Sequence, residues 1–280
     1  MALTSNFKSH FKVPVALTIA GSDSGGGAGI QADLKTFAFH RVHGTSALTC
    51  VTAQNTLGVD RVDALSPEAV IAQINAILDD IGIQAAKTGM LLNREIIAAV
   101  ADYLQTRPIA HLVVDPVMVS RAGAQLIDDD AVALMRERLI PLATIVTPNR
   151  HEAQLLTGIE ITTLEQMQRA AQQLHQLGPQ AVLVKGGGMT GELRGVDVWF
   201  DGTHLEVIRT QTINTPNTHG TGCTLGAAIV ANLAIGYPPL TAVAYAKDYL
   251  TQALQYSLSL GAGQGPVGHF FPLLNDHGTR

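Results

Sequence analysis

The chain has 280 residues, of which 46% are hydrophobic and 15% are charged, and its formal net charge is −5. Disordered chains combine low hydrophobicity with high net charge, so this composition excludes disorder and predicts a folded protein with a large core. The 18 basic residues are scattered along the chain, whereas nucleic acids and anionic membrane surfaces are bound by clustered Lys and Arg. We therefore expect neither nucleic acid nor a membrane as a partner.

The two cysteines, Cys50 and Cys223, lie far apart and form no Cys-x-x-Cys pair. This spacing indicates neither a zinc site nor a disulfide framework. Residues 1–12 lack the continuous apolar core of a signal peptide, and no run of about 18 apolar residues follows them. These features predict a reduced, cytoplasmic protein whose residues 1–12 form a frayed N-terminal tail.

Short apolar runs alternate with segments of helical periodicity, which is typical of parallel strands covered by helices on both faces. In chain order, the predicted strands cover residues 15–20, 45–53, 84–88, 111–117, 144–147 and 181–185. The predicted helices cover residues 28–40, 67–81, 94–104, 149–156, 164–177, 221–235 and 240–258.

The pattern changes at residues 195–210, where two strand-like runs flank Asp201-Gly202, a hairpin turn signal. We predict a short antiparallel edge hairpin there. No linker marks a domain boundary, so residues 13–280 are expected to form a single domain. The predicted fold class is α/β, a three-layer α/β/α arrangement around a doubly wound, mostly parallel sheet. Ligands of such sheets bind outside the carboxyl ends of the strands, so the loops after the strands are the candidate site.

The loop after the first predicted strand, residues 21–29, is rich in glycine and opens a helix. Such a loop lets a ligand approach the backbone and presents amide groups to it. The stretch 27–32 fits a loose dinucleotide fingerprint, but no Asp or Glu follows about 20 residues later to hold a ribose. A plain strand-to-helix turn is the alternative. Asp23 favours a binding loop, because its carboxylate can accept hydrogen bonds from hydroxyl or amine groups.

A second glycine-rich segment, residues 217–224, leads into an apolar helix. Gly220 and Gly222 flank Thr221, so consecutive backbone amides can converge on one point and hold an anion there. Cys223 falls in the first helical turn, where the pKa of a thiol is lowered, and is a candidate base or nucleophile. The alternative for Cys223 is a small buried core residue.

Three further strand ends carry polar residues. Asn149 and Glu152 share a helical face, which suits a hydrated magnesium ion near phosphates, or equally an N-cap with its capping-box glutamate. Lys185, followed by Gly186, is positioned to meet a phosphate or to be solvated. Asp115 is positioned to orient a cation or to cap a turn.

Seven segments in order along the chain resemble the hydroxymethylpyrimidine/phosphomethylpyrimidine kinases, a family of the ribokinase-like superfamily. They cover residues 17–36, 52–56, 87–91, 114–118, 147–152, 184–187 and 217–224. Each match alone is weak, but the ordered series spans nearly the whole chain. The residue at position 24 is commonly proline in the family and is Ser24 here.

The resemblance implies a kinase of thiamine biosynthesis that uses ATP and Mg²⁺. It would phosphorylate 4-amino-5-hydroxymethyl-2-methylpyrimidine and then its monophosphate to the diphosphate. The family positions that hold the pyrimidine match Ala28, Gln54, Met90 and Val117. The segment Gly220, Thr221 and Gly222 would form the anion hole, and Cys223 would replace the aspartate base of the superfamily's sugar kinases.

The resemblance also implies a nucleotide site and a metal site. Asn149 and Glu152 match the magnesium motif, with Asp115 and Lys185 near the phosphates. The positions expected to contact the nucleotide are Asp115, Asn149, Lys185, Gly186, Thr221 and Lys247. Relatives are homodimers, so a homodimer is expected.

Three other functions are considered. A pyridoxine or pyridoxal kinase would phosphorylate the hydroxymethyl group of a similar heterocycle. An α/β-hydrolase with an aspartate nucleophile would use residues 21–25 as its elbow, but this leaves the segment before Cys223 unexplained. A non-catalytic vitamin-binding module is disfavoured by the joint presence of Asn149, Glu152, Lys185 and Cys223.

Overall fold

A computed structural model of the chain describes residues 13–118 and 127–275. The tail expected over residues 1–12 lies outside the described residues. The strands are β1 (Val15–Asp23), β2 (His43–Gln54), β3 (Val59–Ala64), β4 (Ala85–Thr88), β5 (His111–Val114), β6 (Ile145–Val146), β7 (Ala181–Val184), β8 (Val196–Phe200) and β9 (Leu205–Arg209). In the described part of the chain they form one sheet in the order β3-β2-β1-β4-β5-β6-β7-β8-β9.

Helices flank this sheet. Among those in the described residues, seven begin close to the positions expected from periodicity, whereas two short helices, Asp129–Leu134 and Phe271–Asn275, are not predicted from the sequence. The helices are α1 (Gly29–Phe39), α2 (Pro67–Ala76), α3 (Arg94–Thr106), α4 (Asp129–Leu134), α5 (Arg150–Thr157), α6 (Leu164–His175), α7 (Thr221–Ile235), α8 (Pro239–Gln255) and α9 (Phe271–Asn275). Helix α2 continues through a π-helical turn, Ile77–Ile81. None of the helices in the described ranges combines the length and apolarity needed to span a bilayer.

Two apolar cores lie on opposite faces of the sheet. Helices α2 to α6 pack on one face, and α1, α7 and α8 pack on the other. Strands β2, β1, β4, β5, β6 and β7 are parallel to their neighbours in that run. The predicted three-layer α/β/α class with a mostly parallel sheet is therefore confirmed.

The antiparallel part of the sheet is larger than the sequence indicates. The expected hairpin of β8 and β9 forms one edge, and β8 is also antiparallel to β7. At the opposite edge, β3 pairs antiparallel with β2. Strand β3 is not predicted from the sequence, because all six of its residues are exposed and no buried face gives it an apolar pattern.

Strands β1 and β4 are neighbours at the point where the sheet order reverses. From β1 the chain winds toward β2, and from β4 it winds toward β5, so the loops after β1 and β4 diverge and leave a crevice. The backbone at the opening of this crevice is closely packed against side chains of β2 and of the loop after β4. A Cβ on Gly21 would lie 2.7 Å from Sγ of Cys50 and 2.9 Å from Cε of Met90. The carboxyl ends of the central strands therefore surround this crevice.

Helix α7 lies in the core beneath this crevice. Its residues 224–234 are all buried, which matches a helix that is apolar on every side. Because α7 is enclosed by the sheet and by its neighbouring helices, its first turn is held rigidly against the strand ends.

Truncation of a buried side chain in α7 should therefore lower the stability of the protein. We expect Ile229→Ala to lower the free energy of unfolding by about 2 to 5 kcal/mol, since the fully buried side chain leaves a cavity. Ile235→Ala, at the exposed end of the same helix, should cost about 0.5 kcal/mol or less. Urea titrations of the two variants compare these values, and equal losses would contradict the packing described for α7.

Candidate active site

The carboxylate of Asp23 organises the glycine-rich loop after β1. Its Oδ1 accepts a hydrogen bond from the N–H of Gly25 at 2.8 Å, and its Oδ2 accepts from the N–H groups of Gly27 at 3.0 Å and Ala28 at 2.8 Å. Burial would raise the pKa of Asp23, but His219 and the loop amides hold it below its usual value. The loop is therefore preformed around an ionised carboxylate.

His219 joins this loop to the segment that precedes α7. Its Nε2 lies 2.8 Å from Oδ2 of Asp23, and a Cβ on Gly27 would lie 2.3 Å from its Cδ2. In the sequence, His219 lies within a glycine-rich segment and carries no signal of this role. Both carboxylate oxygens of Asp23 are used within the protein, so its positioning of the loop is observed, whereas its direct contact with a substrate stays a prediction. A carboxylate engaged in this way is also a poor nucleophile, which removes the support for the hydrolase alternative.

The two glycine-rich segments touch at Gly220. This residue has φ of +83°, which favours glycine, and a Cβ there would lie 1.8 Å from the carbonyl oxygen of Gly27. Helix α7 begins directly afterwards, and no side chain of its N-cap residue hydrogen-bonds to the first turn. The N–H of Thr221 donates to the carbonyl oxygen of Thr218 at 3.3 Å, and the amides of a helix's first turn suit an anion.

Lys185 and Asp115 lie beside these amides. Nζ of Lys185 is 2.7 Å from Oδ1 of Asp115. A Cβ on Gly222 would lie 3.8 Å from that Nζ and 3.9 Å from Oδ2 of Asp115. Burial would lower the pKa of Lys185, but the carboxyl groups of Asp115 and Glu152 hold it above its usual value. A charged ammonium group therefore borders the predicted anion hole.

Asn149 and Glu152 form the capping box that the sequence left as one alternative. Oδ1 of Asn149 accepts from the N–H of Glu152 at 3.0 Å, and Oε2 of Glu152 accepts from the N–H of Asn149 at 2.8 Å. Burial raises the pKa of Glu152 to about 8. Cap formation is observed, whereas metal binding by this pair stays a prediction.

A hydrated magnesium ion is compatible with these residues. In the described ranges, no group of three or more His, Cys, Asp or Glu side chains could hold a metal ion by itself. Mg²⁺ bound with phosphates, however, commonly takes only one or two carboxylates and keeps several waters. Asp115 and Glu152 interact electrostatically with each other and with Lys185, and they would supply such a pair of carboxylates once Glu152 has released its proton.

Cys223 departs from the sequence-based expectation. Its place in the first turn of α7 is as expected, but burial raises the pKa of its thiol to about 11. The ammonium of Lys87 and the N–H of Gly29 act in the opposite direction, and Asp33 and Asp115 reinforce the rise. The prediction of a lowered pKa is therefore wrong, because burial and the neighbouring carboxylates outweigh the groups that favour the thiolate.

The four predicted pyrimidine contacts lie at the carboxyl ends of four adjacent strands. Gln54 ends β2, Ala28 follows β1, Met90 follows β4 and Val117 follows β5. Nε2 of Gln54 lies 3.4 Å from Nε2 of His219. Their common edge matches the expected pocket, and their contact with a pyrimidine stays a prediction.

Lys247 is placed differently from a solvent-facing nucleotide contact. It is buried in α8, and its Nζ lies 2.7 Å from Oδ2 of Asp197. Oδ1 of Asp197 accepts a hydrogen bond from the N–H of Gly186 at 2.8 Å. Lys247 therefore supports the loop after β7 through Asp197, and a direct contact with the nucleotide stays a prediction.

The raised pKa of Glu152 has a consequence for stability. The folded chain keeps a proton that the unfolded chain releases near the usual value of 4.5. The retained proton of Glu152 therefore adds to the free energy of unfolding at pH values below 4.5. This added stability is lost as the pH rises from about 5 to about 8. Glu152→Gln keeps an oxygen for the cap but cannot titrate, so we expect a smaller fall in the free energy of unfolding over this interval.

Urea titrations at several pH values measure the slope of the free energy of unfolding against pH. Glu160→Gln, at an exposed carboxyl group, is the control and should retain the slope of the unchanged chain. A slope for Glu152→Gln equal to that of the control would show that Glu152 titrates normally.

Comparison with known proteins identifies relatives along nearly the whole chain. A family model described as phosphomethylpyrimidine kinase matches residues 23–268. A hydroxymethylpyrimidine/phosphomethylpyrimidine kinase of Synechococcus elongatus is 60% identical over 261 residues, which cover 93% of this chain and 99% of that protein.

Two solved structures support the same relationship. Pyridoxal kinase of Bacillus subtilis, solved as an ADP complex, has a TM-score of 0.87 at 41% identity and covers 94% of this chain and 100% of its own. Phosphomethylpyrimidine kinase of Clostridium difficile has a TM-score of 0.78 at 43% identity and covers 86% of this chain and 99% of its own. The family, the ribokinase-like fold and the kinase class expected from the sequence are confirmed. The chain belongs to the phosphomethylpyrimidine kinase family of ribokinase-like phosphotransferases.

Proposed function

We propose that this chain transfers the γ-phosphoryl group of ATP to the hydroxymethyl oxygen of 4-amino-5-hydroxymethyl-2-methylpyrimidine, and then a second phosphoryl group to the monophosphate. The observation that carries this proposal is the meeting of three groups at one edge of the sheet. They are the first turn of α7 after Gly220, the Lys185–Asp115 pair beside Gly222, and Cys223. The high identity to kinases named for these two pyrimidines supports the choice of substrate.

Phosphoryl transfer depends on positioning and charge neutralisation more than on covalent chemistry. The amides at the start of α7 are aimed at the transferred group, and the ammonium of Lys185 lies beside them. Mg²⁺, held through water by Asp115 and Glu152, would neutralise phosphate oxygens when bound. Donors fixed by folding need no reorganisation as charge develops, which is the main source of such stabilisation.

Cys223 accepts the proton of the substrate hydroxyl in this proposal. Its raised pKa means that the thiol is protonated at neutral pH in the ligand-free chain. The reacting form is the thiolate, which is a minor fraction there and increases with pH. We therefore expect kcat/KM to rise with pH through the neutral range.

The heterocycle would lie between the ends of β2, β1, β4 and β5. The side-chain amide of Gln54 can accept a hydrogen bond from an exocyclic amino group, and Met90 offers a polarisable apolar surface for a flat ring. Pyridoxal is the second candidate substrate, because the neighbouring Bacillus subtilis structure is a pyridoxal kinase.

One assay separates these substrates. ATP consumption in the presence of Mg²⁺ is measured with the hydroxymethylpyrimidine, its monophosphate and pyridoxal, each offered alone. We expect turnover of both pyrimidines, with a lower kcat/KM for pyridoxal. Turnover of pyridoxal alone would replace the proposed function, and no turnover of any of the three would favour the vitamin-binding alternative.

The role of Cys223 is tested in the same assay. Cys223→Ala should lower kcat by about 10²- to 10⁴-fold, the usual contribution of a general base. Cys50→Ala is the matched control, since Cys50 is buried and free, and it should retain turnover. Full turnover of Cys223→Ala would remove the proposed base.

We also propose a homodimer formed through β3. This edge strand is exposed along its length, and Val59 and Val62 are 51% and 43% exposed. An edge strand that exposes backbone groups and apolar side chains can pair with another chain. A second copy would cover this edge.

Sedimentation velocity measures the oligomeric state. We expect a dimer, and the double variant Val59→Lys/Val62→Lys should shift it toward monomer. Ile235→Lys changes another exposed apolar residue and should leave the dimer intact. A chain that sediments as a monomer, or a dimer equally sensitive to Ile235→Lys, would contradict the use of β3.

We also propose a cytoplasmic location and a single kinase domain. The free thiols of Cys50 and Cys223 support a reducing, cytoplasmic location. The continuous sheet across the described residues supports one kinase domain over residues 13–280.

A further inference from the structure

A lysine with no assigned role lies beneath the candidate active site. Lys87 in β4 is fully buried, and its Nζ donates hydrogen bonds to both oxygens of Asp33 at 3.0 and 2.9 Å. Oδ2 of Asp33 also accepts a hydrogen bond from Oγ1 of Thr18 at 2.6 Å. A fully buried ion pair adds little to stability, because removing both charges from water offsets their attraction. The position of this pair suggests a different use.

Lys87 lies between α1 and α7, about one helical turn further into the protein than Cys223. At the level of Cys223, the N–H of Gly29 at the start of α1 acts to lower the pKa of the Cys223 thiol. One turn further along α1 is Asp33, and one turn further along α7 is Gly226. A Cβ on Gly226 would lie 3.3 Å from Cε of Lys87. The missing side chain at Gly226 leaves the space that Lys87 occupies on the Cys223 side of α7.

We propose that Lys87 is a positioning residue for phosphoryl transfer, whose ammonium, fixed by Asp33 one turn beneath Cys223, stabilises the thiolate that takes the substrate proton. This inference rests on the proposed function. In the step, Cys223 has first lost its proton to solvent. The substrate oxygen then forms a bond to the γ-phosphorus as the bond to the β-phosphate oxygen breaks, the hydroxyl proton passes to the sulfur, and ADP leaves.

The charges around Cys223 come from each element packed against it. Lys87 on β4 and Lys185 after β7 favour the thiolate. Asp33 on α1 and Asp115 after β5 oppose it.

His269 lies near the next residue of α7 and contacts Thr224. Burial lowers the pKa of His269 to about 4, so it is neutral. Among these groups Lys87 has the largest effect in favour of the thiolate.

The test measures the reactivity of Cys223 directly. In a Cys50→Ala background, the rate of alkylation by iodoacetamide at mildly alkaline pH reports the thiolate fraction, which falls tenfold per unit rise of pKa. We expect Lys87→Met to slow alkylation by about tenfold or more. The double variant Lys87→Met/Asp33→Asn leaves no unpaired carboxylate but also removes a group that opposes the thiolate, so it should slow alkylation less than Lys87→Met and still measurably. This variant keeps the test valid if the single variant folds poorly.

The sign of the change separates this role from a structural one. Loss of a merely structural pair would loosen the packing, expose Cys223 and speed its alkylation. A second buried pair provides the matched control, because Lys247→Met/Asp197→Asn removes an equivalent pair and should not slow alkylation. Unchanged or faster alkylation in the Lys87 variants, or equal slowing in the control, would overturn the proposal.

Kinetics complete the test. The Lys87→Met/Asp33→Asn variant should lose kcat by about the same factor as its alkylation rate, with KM for the pyrimidine changed by less than about twofold. A lower kcat/KM that comes from KM alone would overturn the proposal. Because alkylation needs neither ATP nor pyrimidine, the effect on Cys223 is measured even if the chain proves to act on another substrate.

Discussion

The arrangement of the site depends on the contact between two backbones at Gly27 and Gly220. A Cβ on Gly220 would lie 1.8 Å from the carbonyl oxygen of Gly27, so the segments after β1 and before α7 can meet only without that side chain. Asp23 and His219 hold the same contact through their side chains. As a result, α1 and α7 begin side by side. This brings the amides for an anion, the Cys223 thiol and the pocket for a flat heterocycle to one edge of the sheet.

Buried lysine–aspartate pairs supply the charge of this region. Lys87 pairs with Asp33, Lys185 with Asp115 and Lys247 with Asp197, and all six side chains lie largely away from solvent. The overall content of charged residues is only 15%, so these pairs are a selective use of charge. For Lys87 and Lys185, the paired aspartate opposes the lowering of the lysine pKa that burial alone would cause. Fixed charges in a dry site act on a developing negative charge more strongly than solvated ones.

The parallel sheet, and the residues that lie at the carboxyl ends of its strands, could be predicted from the sequence. Apolar runs identify strands buried on both faces, and parallel pairing then brings their carboxyl ends together. Strand β3 was missed because its exposed residues follow no apolar pattern. The roles of His219 and Lys87, and the raised pKa of Cys223, could not be predicted. They depend on which charges share a buried space, and these partners, such as His219 with Asp23, are far apart in sequence.

The raised pKa of Cys223 is compatible with its role as a base. A thiolate formed permanently at the start of α7 would be open to oxidation and alkylation, since reactivity follows the thiolate fraction. Burial keeps the thiol protonated in the ligand-free chain, while a fixed ammonium beneath it limits the cost of losing the proton. A strongly basic thiolate also takes the substrate proton more readily than a weakly basic one. The balance between burial, Asp33 and Lys87 therefore sets both the protection of Cys223 and its strength as a base.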